Sequence, residues 1–279
     1  MKIKGLTTGI TNHPWRWFSY IFLAFSVMWT LTEGITYFIP SIDIRGISSL
    51  IVILIISLIF SVVKIWQPSK IRIPVKHTNT TIEILFGDLF AESGYRAIGV
   101  GEFFDSELGK PVSENSLHGI LIKKVFGGRP EVFDKIIEDE LKNVGFEVVK
   151  RSEGKTKKYP IGTAAVIPFN NDNYICFASC HTEIETSKSF SDVSTLWDAL
   201  HGLWKKAKVS VGGDCLVLPL VGSALAGVGL PTKELLHLIV LSIISGTKLH
   251  KHITSCIRIV LTEDKFDEID LRELERYWS

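Results

Sequence analysis

Residues 214–231 read DCLVLPLVGSALAGVGLP, and this stretch decides the fold of the larger part of the chain. Its first seven residues, 214–220, are almost wholly apolar and predict a strand buried on both faces. A loop with three glycines follows, and a helix is predicted just beyond it, over 233–245. Small residues before a helix leave backbone N–H groups open to a diphosphate, although glycines also serve in tight turns. The stretch therefore predicts a strand, a candidate anion-binding loop and a helix.

Strands alternate with helices on both sides of this unit, from about residue 80 onward. The pattern predicts further strands over 81–86, 95–100, 146–149, 164–168, 174–179 and 257–261. It predicts further helices over 130–144, from a cap at Ser191 to about 207, and over 268–277. This alternation is typical of an α/β domain with helices on both faces of a sheet. Ligands of such sheets bind beyond the carboxyl ends of strands, so the loops after residues 100 and 220 are informative.

Two apolar stretches precede this domain, at 15–39 and 47–66. Each is about 20 residues long, which is enough for a helix to cross a hydrocarbon core roughly 30 Å thick. The first stretch is too long for the apolar core of a signal peptide, and no small-residue cleavage site follows it. The connection over 40–46 is short. The sequence therefore predicts a two-helix transmembrane hairpin.

The charges of the chain are divided unevenly between its two parts. Eight basic and two acidic residues give residues 1–76 a net charge of +6; the whole chain carries +1, so 77–279 carries −5. Basic residues precede the first apolar stretch and follow the second one. The positive-inside rule then places both termini and the larger domain in the cytoplasm. An acidic larger domain argues against nucleic acid as a partner. We expect the hairpin at 1–66, a connector at 67–79 and the larger domain at 80–279.

Glu33 is the acidic residue of the first apolar stretch. It could line a pore or an interface between subunits, or reach water at the outer membrane surface. A hairpin of two helices is too small to enclose an aqueous path alone, so any membrane activity requires several copies of the chain.

The remaining apolar features point to the core of the larger domain. The stretch 235–244 is too short to span a membrane and predicts a buried helix. The four cysteines, at 176, 180, 215 and 256, form no Cys-x-x-Cys pair. We expect all four to be small buried thiols in a reducing compartment, and we expect no metal site.

Three segments of the larger domain resemble a macro domain. They are Gly87-Asp88-Leu89 after the first strand, the loop over 219–229, and LTEDKF at 261–266. The resemblance covers about 80–279 and implies a three-layer α/β/α domain with a mixed sheet that binds ADP-ribose and related nucleotides. Together with the hairpin, the run GEFFD at 101–105 and SLHG at 116–119 resembles the membrane-anchored macro-domain effectors of type II Thoeris anti-phage systems.

The resemblance implies a role for each matched residue. Asp88 and the amide of Leu89 would bind the adenine amino group, and Phe266 would stack on the adenine. The diphosphate would be wrapped by Gly222, Ser223, Ala224, Leu225, Ala226 and Gly227. The distal ribose and its substituent would lie against Gly101, Phe104, Ser116 and His118.

The chain departs from macro domains that hydrolyse ADP-ribose linkages. Many of these carry Asn-Ala-Ala-Asn and then three glycines, where this chain has AIGVGEFF at 97–104. The loss of the amide side chains favours a reader without catalytic residues or cofactor. His118 is the nearby acid–base candidate, and we expect it to be a hydrogen-bonded loop histidine instead.

The resemblance implies a function in the bacterial cell membrane. The chain would sense an ADP-ribose-based signal, such as histidine-linked ADP-ribose, that a TIR-domain partner makes from NAD. It would then disrupt the membrane as a homo-oligomer and so kill or arrest the infected cell. Two alternatives remain open: a membrane-anchored ADP-ribosylhydrolase that uses His118 or Asp105, and a passive reader of ADP-ribosylated proteins.

Overall fold

The computed structural model describes residues 2–39, 41, 44, 46–223 and 227–278. It divides into two units. The first comprises Met1–Ser69 with Asp270–Arg272, and the second comprises Lys70–Ile269 with Glu273–Ser279.

The first unit contains α1 (Lys2–Asn12), α2 (Pro14–Phe38) and α3 (Ile47–Ile65). In the described chain, α2 and α3 are the two helices whose length and composition would allow them to cross a membrane. They pack along each other. A stripe of α3 with four-residue spacing is buried, and in it Ser61 Oγ accepts a hydrogen bond of 3.2 Å from Trp17 Nε1. The two predicted apolar helices are thus present, and most of the loop between them lies outside the described residues.

Helix α1 was not predicted, and two glycines set its position within this unit. A Cβ at Gly9 would lie 2.1 Å from the carbonyl oxygen of Ile65, and one at Gly5 would lie 2.5 Å from that of Gln67. The amide of Gln67 also donates to the carbonyl of Gly5, at 3.1 Å. Because a glycine has no side chain, α1 can approach the last turn of α3 this closely.

The second unit is built on a mixed sheet. Its strands are β1 (Lys70–Pro74), β2 (Thr81–Phe86), β3 (Tyr95–Gly101), β4 (Glu147–Val148), β5 (Lys157–Lys158), β6 (Ala164–Phe169), β7 (Asp172–Thr182), β8 (Ser189–Phe190), β9 (Cys215–Pro219) and β10 (Cys256–Leu261). The main sheet has the order β1-β2-β10-β9-β3-β7-β6, with β8 paired to β7, while β4 and β5 form a separate ribbon. The five strands from β2 to β7 in this order are parallel, and β1 and β6 are antiparallel to their neighbours.

Helices cover the two faces of this sheet. They are α4 (Leu117–Lys124), α5 (Pro130–Leu141), α6 (Val193–Ser210) and α7 (Thr232–Leu249); α8 (Leu271–Trp278) follows them in the chain. Apolar side chains of α4 and α5 form one core with alternate residues of the strands, such as Ile98 and Val217. The apolar face of α6 packs on β7, and α7 packs beside α6. This is the expected α/β domain with a mixed sheet, and α7 is the predicted buried helix.

Several local features differ from the sequence predictions. The expected connector contains β1, whose Ile71 and Ile73 are buried while its other three residues are exposed. Pro74 is tolerated there because β1 is an edge strand. The cap of α6 is Asp192 and not Ser191, because the Asp192 carboxylate accepts a hydrogen bond from the Thr195 amide at 2.7 Å. Helix α4 was missed because it is only eight residues long.

The prediction of four free thiols is wrong for two of the cysteines. Cys215 and Cys256 form a disulfide, whereas Cys176 and Cys180 are free and buried as expected. Cys215 and Cys256 begin neighbouring parallel strands and lie directly opposite each other, with their Cα atoms 4.6 Å apart. Strand register decides this pairing, and the spacing of cysteines in the sequence does not reveal it.

We predict that Gly202→Ala destabilises the domain. A Cβ at Gly202 of α6 would lie 2.1 Å from the carbonyl oxygen of Gly162, so helix and turn would have to separate. Overpacking of this kind costs about 2 kcal/mol, which is roughly 4–8 °C in the thermal midpoint for a domain of this size. Thermal unfolding of the purified chain in detergent measures the effect. Gly213→Ala is the matched control, because a Cβ there meets open space; equal midpoints for the two variants would contradict the prediction.

Candidate functional site

A cavity of about 760 Å³ opens at the carboxyl edge of the parallel strands. Its wall includes Gly101 at the end of β3, Pro219 at the end of β9 and Leu261 at the end of β10. These ends meet because the three strands run in the same direction in one sheet. The cavity therefore lies where the sequence predicts a ligand site.

The turn after β9 forms one wall of the cavity through Gly222 and Ser223. Gly222 has a φ of +87°, and a Cβ there would lie 2.9 Å from Val228 Cγ2 and 3.1 Å from Leu196 Cδ2. Glycine is therefore required at this turn. Its carbonyl accepts from the Val228 amide at 3.0 Å, and Ser223 Oγ donates to the carbonyl of Leu220 at 2.6 Å. The turn is thus held by its own hydrogen bonds.

The rest of the predicted diphosphate loop is placed differently. Gly227 is exposed and does not line the cavity. The predictions for Ala224, Leu225 and Ala226 fall outside the described residues.

His118 lies in the wall of the cavity and is almost fully buried. Burial, with a smaller contribution from the positive charge of Lys155, lowers its pKa to about 3, so the imidazole is neutral near pH 7. Its Nε2 atom has no hydrogen-bond partner among the residues that the structure describes. The expectation of a hydrogen-bonded loop histidine is therefore wrong, because the residue lies in the first turn of α4 with its ring 5.3 Å from that of Phe133. A buried polar atom without a partner is costly, and a ligand can supply that partner.

Ser116, Gly101 and Asp105 complete the part of the wall around His118. Ser116 caps α4, since its Oγ accepts from the Gly119 amide at 3.0 Å. The Asp105 carboxylate accepts from Arg151 Nη1 at 2.8 Å and from the Lys155 amide at 2.7 Å.

Arg151 and Lys155 were missed by the sequence analysis. The Arg151 side chain is fully buried, and its guanidinium lies over the Phe103 ring, 4.3 Å from the ring centre. Lys155 Nζ donates to the carbonyl of Phe104 at 2.6 Å. Both residues belong to the segment between β4 and β5, about 50 positions along the chain from Asp105. No local pattern could have revealed such a distant pairing.

Besides Gly227, four of the predicted binding residues do not line the cavity. Asp88 is exposed, and its carboxylate accepts from the Phe90 amide at 3.0 Å as the cap of a short 3₁₀ turn. Leu89 is buried in the core. Phe266 is buried edge-on against Phe86, with 4.9 Å between the ring centres. Phe104 is buried against Tyr159, with 5.6 Å between the ring centres.

The wall also contains Thr262 and Lys265, which the sequence analysis did not select. Lys265 follows the end of β10 by four residues, and its Nζ lies 2.8 Å and 3.0 Å from the two carboxylate oxygens of Glu268. Both residues belong to the LTEDKF segment whose phenylalanine was selected instead. Their position directly after a predicted strand was the available signal.

We predict a pH dependence of stability that comes from His118. The unfolded chain binds a proton at this residue below about pH 6.5, whereas the folded chain does not until about pH 3. Stability is therefore lost as the pH falls through this window. Between pH 7 and pH 5 the unaltered chain should lose about 2 kcal/mol more than His118→Gln. Denaturant unfolding of both proteins in detergent at the two pH values measures this difference, and parallel losses would contradict the neutral, buried imidazole.

Comparison with known proteins identifies the family. The family described as "Thoeris protein ThsA, Macro domain" matches residues 82–262, which is more than half of the chain. No curated protein sequence matches the chain.

Solved structures with this fold include the macrodomain of Oceanobacillus iheyensis. The form with MES bound has a TM-score of 0.51 and 12% sequence identity, and the match covers 75% of this chain and 96% of that one. A single-substitution variant of it has a TM-score of 0.50 and 12% identity, with 75% and 98% covered. At this identity the structural likeness shows the fold alone, and the family match carries the assignment. The chain belongs to the family of Thoeris ThsA macro domains.

Proposed function

We propose that the chain is a membrane-bound sensor of an ADP-ribose-type nucleotide in anti-phage defence. The observation that carries this proposal is the cavity at the carboxyl edge of a macro-domain sheet, with a tight glycine turn on one wall and a lysine on another. Its volume of about 760 Å³ falls within the range of small-molecule sites, roughly 300–1,000 Å³.

The turn at Gly222 and Ser223 is the proposed diphosphate site. Gly222 permits the positive φ of this turn, and through it the turn lines the cavity. Lys265 contributes a positive charge to the same cavity. Backbone amides and one cation are the groups that usually hold a diphosphate at the edge of an α/β sheet.

The part of the cavity around His118 is the proposed site for the distal ribose and whatever it carries. A neutral imidazole can donate or accept one hydrogen bond at Nε2, which lacks a partner within the described part of the chain. Ser116 and Asp105 add a hydroxyl and a carboxylate nearby. Sugar hydroxyls and a polar substituent such as histidine fit this set of groups.

We propose that this site reads the nucleotide without hydrolysing it. A general base works best when its pKa is close to the working pH, and the pKa of His118 is several units lower. Both carboxylate oxygens of Asp105 already accept hydrogen bonds, from Arg151 and from the Lys155 amide. Neither residue is therefore well suited to activate a water molecule.

The proposed output is disruption of the bacterial membrane by several copies of the chain. The two apolar helices anchor the protein with both termini in the cytoplasm, and binding of the nucleotide changes the assembly of the copies. A TIR-domain partner would supply the nucleotide from NAD. A ligand can drive this change only if it binds the assembled state more tightly than the resting one.

We predict that Ser223→Glu weakens binding of ADP-ribose by about 2 kcal/mol or more, which is roughly 30-fold in Kd. Ser223 lies in the cavity wall, so the new carboxylate would repel the diphosphate. Calorimetry on the full chain in lipid nanodiscs measures the loss. Ser194→Glu is the matched control, because it adds the same charge at an exposed position outside the cavity.

Equal affinities for the two variants would contradict the site assignment. The same preparations, incubated with an ADP-ribosylated protein, should leave the modification attached. If the unaltered chain released the ADP-ribose modification and His118→Gln did not, the chain would be a hydrolase and the proposal of a non-catalytic sensor would be wrong.

A further inference from the structure

A short segment connects the wall of the cavity to the unit that contains the apolar helices. Thr262 and Lys265 line the cavity, and Asp270–Arg272 already belongs with α1, α2 and α3. Six residues, 266–271, separate Lys265 from Arg272, and the first two of them belong to a 3₁₀ turn over Glu263–Asp267. The segment 262–272 is therefore a covalent path from the proposed ligand site to these helices.

Arg272 holds the carboxyl end of α3. Its Nη1 donates to the carbonyl oxygen of Lys64 at 2.8 Å and to that of Trp66 at 3.4 Å. The Asp270 carboxylate fixes the guanidinium, with 2.9 Å from Nε to Oδ1 and 2.6 Å from Nη2 to Oδ2. The last carbonyls of a helix lack partners within it, and a cation is favourable beside them. We call Asp270, Arg272 and these two carbonyl groups the Arg272 clamp.

The turn that leads from the cavity towards Asp270 is held by backbone hydrogen bonds. The Lys265 amide donates to the carbonyl of Thr262 at 3.0 Å, and the Ile269 amide donates to the carbonyl of Lys265 at 3.2 Å. Phe266 and Ile269 are buried. These contacts bond Lys265 to the residue that precedes Asp270, so a displacement at Lys265 has a bonded path towards Asp270.

Lys265 has a partner that an anionic ligand can replace. Its ammonium group is paired with Glu268, which also accepts a hydrogen bond from Thr232 Oγ1 at 2.9 Å. Glu268 is exposed, and exposed ion pairs contribute little to stability. A doubly charged diphosphate in the cavity is therefore a stronger partner for Lys265 than Glu268 is.

We propose that an anionic ligand in the cavity draws Lys265 away from Glu268 and thereby releases the Arg272 clamp from the end of α3. This inference rests on the proposed function, since it assumes that the ligand carries phosphate. The exchange of ion pairs at the cavity shifts the 3₁₀ turn, the guanidinium leaves the carbonyls of Lys64 and Trp66, and the last turn of α3 becomes free to rearrange. The signal reaches the apolar helices through this one segment.

Hydrogen–deuterium exchange of the full chain in lipid nanodiscs tests the coupling. With ADP-ribose as the probe, amide exchange over residues 62–69 should rise several-fold, because the Trp66 amide is bonded to the Val62 carbonyl in the turn that the clamp stabilises. Arg272→Gln should show the raised exchange without ADP-ribose and no further rise with it. Arg276→Gln is the matched control on the same helix and should behave as the unaltered chain does.

The variant Glu268→Gln tests whether the cavity is coupled to the end of α3, or whether Arg272 only caps this helix. This change frees Lys265 without touching Arg272, so exchange over 62–69 should rise in the absence of any ligand, and ADP-ribose should bind several-fold more tightly. Glu263→Gln, in the same 3₁₀ turn, is the control and should change neither quantity.

Two results would overturn the coupling. One is unchanged exchange over 62–69 when calorimetry shows that ADP-ribose is bound. The other is unchanged exchange in Glu268→Gln while Arg272→Gln raises it, which would make the clamp a structural cap. Failure of the unaltered chain to bind ADP-ribose would count against the proposed function instead, and the Glu268→Gln measurement, which needs no ligand, would still decide the coupling.

Discussion

Parallel pairing of five strands brings the carboxyl ends of β3, β9 and β10 to one edge of the sheet, and the candidate site depends on this alignment. Each strand delivers a different chemical group to that edge. The loop after β3 leads to Asp105 and His118, the turn after β9 supplies Gly222 and Ser223, and the segment after β10 supplies Lys265. The three segments that supply these groups are far apart in the sequence. The cavity therefore forms only when β3, β9 and β10 are paired in the sheet.

The regular part of the fold could be predicted because its signals are local. The apolar run of β9, the glycine turn after it and the apolar face of α7 can each be recognised in one continuous stretch of sequence. The same holds for the long apolar stretches that form α2 and α3. What could not be predicted depends on register or on distant contacts. The disulfide between Cys215 and Cys256 requires knowledge of which strands are neighbours. The short helix α4 gives too weak a periodic signal.

The candidate site was predictable to a similar extent. Gly101, Ser116, His118, Gly222 and Ser223 line the cavity, and they were found from loops at strand ends or from the family resemblance. Phe266 was selected from a segment in which Lys265 lines the cavity, because sequence shows that a residue follows a strand but not which side chain turns inward. The buried pair of Asp105 and Arg151 joins segments 46 residues apart. Its geometry keeps the carboxylate occupied and supports the interpretation of the site as a reader.

The central claim is that this cavity holds an ADP-ribose-type nucleotide when phage infection produces one. Mass spectrometry of the small molecules extracted from the purified full chain tests it most directly, with cells harvested before and after infection. The account predicts an ADP-ribose derivative that co-purifies with the unaltered chain only after infection and in the presence of the TIR-domain partner. Recovery of no nucleotide, or of the same amount from the Ser223→Glu protein, would contradict it.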